Sequence, residues 1–100
     1  MMQLTKEARF ELGQIVATPG ALHVLEWAGV APRTLLNRHI RGDWGDLCSE
    51  DWQANEHALK DGSRIFSSYK LSSGSKVWII TEALNDGVRA STCLLLPDEY

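Results

Sequence analysis

Hydrophobic and polar positions change their period once along this chain, near residue 62: apolar residues recur at helical spacing before it and alternate after it. In TPGALHVLEWAG, residues 18–29, Thr18-Pro19 has the form of an N-cap followed by proline at the first helical position, and Gly29 offers a left-handed stop. A short helix to Ala28 is predicted. The same punctuation recurs at Ala31-Pro32, which opens a second helix with Leu35, Leu36, His39 and Ile40 as its inner stripe and Gly42 at its end. For a third helix, Glu50 to Lys60, Ser49 is the expected N-cap; Glu50 and Asp51 lie at the positive dipole end and Asp61-Gly62 is the stop.

Beyond Gly62 the alternation predicts three strands, Arg64 to Leu71, Lys76 to Ala83 and Val88 to Leu96, joined by turns at Ser73-Gly74 and Asn85-Asp86-Gly87. The middle strand, KVWIITEA, is apolar on both sides, as expected of a strand packed on two faces. Phe10 to Ala17 (FELGQIVA) reads either as a further strand or as the end of a helix from Thr5. Gly13 would cost that helix about 1 kcal/mol. The fold class that follows is α+β: three short helices packed on an antiparallel sheet, with a C-terminal three-stranded meander that the N-terminal strand would extend. Residues 1–9 are expected to fray and residues 10–100 to form a single domain.

Charge narrows the partners. Ten Lys plus Arg against thirteen Asp plus Glu leave a net charge of −3, which argues against a basic nucleic-acid platform. No run of about 18 apolar residues and no signal-peptide pattern occurs, so a cytoplasmic, non-membrane protein is expected. Cys48 and Cys93 have no CxxC or Cys/His spacing, which predicts two reduced thiols and neither metal nor cofactor.

One segment gathers polar side chains. Asp43, Asp46, Glu50, Asp51, Glu56 and Asp61 face the single Lys60 between residues 43 and 61, with Trp44 and Trp52 among them. Two readings stand. In the structural one, Gly42 and Gly45 make a tight loop, Asp46 or Ser49 caps the helix, and Glu50 and Asp51 complement its dipole. In the functional one, Asp43, Trp44, Asp46, Glu50 and Asp51 form a patch for a protein partner, with Trp44 as the exposed aromatic anchor. Trp27 and Trp78 are expected to fill the core instead, and His23 to face solvent. A third possibility pairs His39, Asp43 and His57 as weak catalytic candidates, since a His oriented by a carboxylate is what general base chemistry requires. No HExxH, GxSxG or phosphate-loop motif supports it.

The stretch RGDWGDLCSEDWQANEHALKDGSRIFSSYKL, then WIITEA at 78–83 and the ending LLLPDEY, resembles a family of short bacterial proteins labelled plasmid-related, found on chromosomes, plasmids and integrated elements. The family pattern tends to place Asp-Arg-Ser after TEA; here Leu84-Asn85-Asp86-Gly87-Val88-Arg89 stands instead. The resemblance transfers no catalytic residue. It implies a bacterial cytoplasmic setting and accessory work on a mobile element. The functional expectation is therefore a non-enzymatic interaction module with a protein partner not identified by sequence; an acidic anti-defence protein and a toxin-like hydrolase or nuclease are the rivals. A homodimer through the edge strand Arg64 to Leu71 is a further expectation.

Overall fold

The computed structural model describes residues 8–100. Three helices, α1 (Pro19–Ala28), α2 (Pro32–Ile40) and α3 (Ser49–Asp61), precede most of the strands: β1 (Gln14–Ala17), β2 (Ile65–Lys70), β3 (Lys76–Thr81), β4 (Leu84–Asn85), β5 (Val88–Arg89) and β6 (Ser91–Leu95). The main sheet has the order β1-β6-β3-β2. The meander β2-β3-β6 is antiparallel, but β1 joins β6 in parallel, with Val16 opposite Cys93, so the sheet is mixed. The fold is α+β, as the change of period implied.

Local chemistry sets most boundaries. The Thr18 hydroxyl accepts the Ala21 amide at 3.0 Å and Gly29 closes α1 at φ 71°, so both expected signals operate. Pro32 opens α2, and Gly62 stops α3 at φ 84°. Ser49 is not the cap of α3 but its first helical residue: Cys48 occupies the cap position without a side-chain bond, and the carboxylate of Asp46, the other capping candidate, accepts the Lys70 amide of β2 instead. The N-terminal strand is shorter than the alternation suggested, since Gly13 at φ 65° bends the chain just before Gln14.

The expected third long strand is broken. Val88–Arg89 folds back on Leu84–Asn85 through a tight turn with positive φ at Asp86 and Gly87, and the chain re-enters the main sheet only at Ser91. The break allows Arg89 to turn inward, where its guanidinium donates to the carbonyls of Ser63 (2.7 Å), Glu82 (2.9 Å) and Ala58 (3.1 Å).

One sheet face carries Tyr69, Val77, Ile79 and Leu94, packed with Ala21 and Leu25 of α1 and Leu35 and Leu36 of α2. A second cluster joins Trp44, Ala58 and Ile65 to Phe10, Leu47, Trp52 and Leu59. On the opposite sheet face, Trp78 meets Phe66 edge-to-face at 4.8 Å and Tyr100 at 5.8 Å, so the terminal tyrosine tucks back onto the sheet. Residues 1–7 of the segment expected to fray lie outside the described residues. Arg9 does not fit that expectation: its amide donates to Ile40 O, and its guanidinium forms an ion pair with Glu56 at 2.8 Å.

Candidate functional site

Residues 42–47, GDWGDL, lie along the outer edge of β2. Ser68 N–H donates to Trp44 O (3.1 Å), Asp46 N–H donates to Ser68 O (2.6 Å), and Lys70 N–H donates to the Asp46 carboxylate (2.8 Å). The Asn55 amide completes the edge from α3, donating to Phe66 O (2.5 Å) while accepting Phe66 N–H (3.0 Å). The outward amides and carbonyls of β2 at Phe66 and Ser68, and the amide of Lys70, are thereby satisfied within the chain. The edge through which the sequence led us to expect a homodimer is thus occupied within the chain at these positions. Gly45 makes the approach possible: at φ 79°, a side-chain Cβ there would collide with the Ser68 carbonyl oxygen.

The proposed aromatic anchor turns out to be core. Trp44 is 0% exposed; its Nε1–H donates to Glu56 Oε2 at 3.0 Å and its ring packs against His39 and Phe10. Gly-flanked acids look like a surface loop in sequence, yet pairing with β2 turns the indole inward. Asp43 answers Arg38 (2.7 Å) and the Gly45 amide (3.2 Å), and the Arg38 guanidinium holds its carboxyl below the usual range. Glu56 is held low by Arg9, with Trp44 adding a second hydrogen bond. Glu50 and Asp51 remain exposed on the first turn of α3.

The catalytic candidates do not converge. His39 is 0% exposed, Asp43 faces Arg38, and His57 is exposed on α3; no hydrogen bond joins any two of them among the described residues. Nor do three His, Cys, Asp or Glu side chains gather there as a metal site. His39 instead centres a buried polar chain that sequence reasoning missed: Ser67 Oγ lies 2.5 Å from Nδ1, Thr81 Oγ1 lies 2.9 Å from Nε2, and Thr92 Oγ1 lies 2.7 Å from Thr81 Oγ1. The Leu12 carbonyl, 2.7 Å from Thr92 Oγ1, can only accept, and it fixes every direction. Thr92 donates to Leu12, Thr81 to Thr92, and His39 Nε2–H to Thr81, leaving Nδ1 to accept from Ser67. This neutral tautomer satisfies all four side chains. Burial, with the nearby Arg89 charge, pushes the His39 pKa down to about 3. The available sequence signal was the spacing: Ser67, Thr81 and Thr92 each sit two residues from an inward apolar residue of the same strand.

The exposed apolar groups lie elsewhere. Trp27, expected in the core, is 81% exposed on α1, and Leu22 is 46% exposed. The Ala21–Leu25 stripe supplies the buried face of the helix, which turns the indole outward. Beside α1 runs an open cleft of about 540 Å³ lined by Pro19, Leu22, His23, Glu26, Val30 and Pro32, among others. Cys48 and Cys93 are free thiols, and no helix among the described residues is long and apolar enough to cross a membrane. Comparison with family models, curated proteins and solved structures finds no match.

Proposed function

We propose that this protein is a non-enzymatic interaction module that engages a protein partner through α1, with Trp27 as the anchor. The supporting observation is the 81% exposure of that indole on a helix fixed to the core by Ala21 and Leu25. Burying a Trp side chain removes roughly 150–250 Å² from water, about 4–6 kcal/mol before ordering costs. That is the scale of an interface hot spot. Leu22 and the adjoining cleft supply the apolar surround, while His23 and Glu26 give it a polar rim.

The reactive side chains favour this reading over a hydrolase, because His39 is buried among its hydroxyl partners and Asp43 is paired with Arg38. They also weaken an acidic-mimic reading, since Asp43 and Glu56 are paired with arginines. The resemblance to plasmid-related bacterial proteins supports the setting we include in the proposal: accessory work on a mobile element in the bacterial cytoplasm.

The test is affinity purification from bacterial lysate followed by native mass spectrometry, comparing the natural chain with Trp27→Ala and Leu22→Ala. A stoichiometric protein partner should be present with the natural chain and lost from both variants at unchanged melting temperature. Retention by both variants, with loss instead on charge reversal at Glu50 and Asp51, would move the site to the acidic turn of α3.

A further inference from the structure

The two edges of the main sheet are treated oppositely. The β2 edge is closed by residues 44–46 and Asn55, whereas β1, at the other end of the sheet, has Ile15 51% and Val16 41% exposed. Within β1, the amides of Gln14 and Thr18 donate inward, to Ala90 O (3.0 Å) and Leu94 O (2.9 Å). Strand alternation turns Val16 the same way, so the amides and carbonyls of Ile15 and Ala17 point away from the sheet. The segment QIVA carries no charge, proline or bulge of the kind that blunts natural edges.

We infer that β1 pairs antiparallel with β1 of a second copy about a two-fold axis at Val16. The register follows from which amides are unpaired in the sheet. Ile15 must oppose the partner's Ala17, where both residues present outward groups, and symmetry repeats the pair to give four hydrogen bonds. Val16 then faces its own copy as a close, non-hydrogen-bonded pair, and Gln14 faces the partner's Thr18. No charged residue meets its like in this register, and Val16 lies on the sheet face of Cys93, so that face continues across the axis. An incoming strand must offer alternate outward amides, β-branched apolar side chains and no charge. β1 itself meets those requirements.

Disulfide trapping tests the register. A Val16→Cys chain is prepared with Cys48→Ser and Cys93→Ser, because Cys93 lies opposite position 16 within the chain and would compete. Across the axis the residue-16 Cα atoms should lie about 4.5 Å apart, within the span a disulfide bridges, whereas Ile15→Cys in the same background places its thiols diagonally, about 7–8 Å apart. Mild oxidation should convert Val16→Cys to a covalent dimer at least tenfold faster than Ile15→Cys. Sedimentation of the natural chain should approach twice 11.2 kDa at high concentration, and Val16→Lys, which sets two cations face to face on the axis, should remain single. Equal trapping at both positions, no trapping at position 16, a natural chain of 11.2 kDa at every concentration, or a Val16→Lys dimer would each overturn the pairing.

Discussion

Acidification should weaken this fold through one buried imidazole. His39 is neutral in the native state, pushed down to about 3 by burial, while an unfolded histidine titrates near its ordinary value of 6.5. Between those values the unfolded chain binds the extra proton and the native chain does not. The His39 contribution is therefore fully present above about pH 6.5 and is lost as pH falls toward 3. At about 1.4 kcal/mol per unit, moving from pH 7.5 to 5 removes about 2 kcal/mol. For a domain of this size that is a fall in Tm of roughly 10 °C. The carboxylates held low by arginines, Asp43 and Glu56, lose their contributions at lower pH, so the window from 7.5 to 5 isolates the histidine. Urea unfolding at several pH values supplies the measurement. His39→Gln keeps a donor and an acceptor without a titratable group, and it should flatten the profile across that window. Nitrogen-detected NMR should show the Nε2–H tautomer unchanged at pH 5. An imidazole titrating near 6.5 in the folded protein, or equal pH slopes in the two chains, would refute the reasoning.

Three further outcomes follow from the geometry. Gly45→Ala should cost about 2–4 kcal/mol in chemical denaturation, because a β-carbon there collides with the Ser68 carbonyl at a left-handed φ; the unprotected β2 edge should then increase aggregation on concentration. Trp44→Ala should cost about 3–5 kcal/mol, whereas Trp27→Ala should stay within about 0.5 kcal/mol of the natural chain; fluorescence-monitored unfolding distinguishes them, and similar costs would contradict the inward and outward placements. In the native protein, Cys48 should react with a disulfide reagent at least ~10-fold faster than Cys93, because Cys93 is half-buried and burial, with Glu99 and Glu82 nearby, pushes its thiol up.

The GDWGDL segment shows how the same residues support a surface reading in sequence and a structural one in space. Its acids, glycines and tryptophan are what a binding loop contains. In the fold, Asp46 and the Trp44 carbonyl act as strand partners for β2, and Asn55 on α3 stands in for a further strand residue. Such pairing joins residues 24 and 11 positions apart, and periodicity reports nothing at that range. Open β edges invite unwanted association, so the loop that closes the β2 edge leaves β1 as the open edge of the main sheet among the described residues.

The sequence by itself determined the helices, the turns and the α+β class, because those depend on local rules: Thr18 and Pro19 start α1, Gly29 and Gly62 stop helices, and Asp86-Gly87 turns a hairpin. It also placed Leu35, Leu36, His39 and Ile40 on one buried stripe, since helical spacing assigns a face before any partner is known. Tertiary structure alone decided what those faces meet. Whether an indole ends in the core depends on the element packed over it: β2 and α3 enclose Trp44, while no core surface of the sheet reaches Trp27 beyond the buried side of α1. The parallel entry of β1, the direction of the His39 chain and the inward turn of Arg89 likewise depend on contacts between distant residues, where burial and hydrogen-bond satisfaction outweigh local preference.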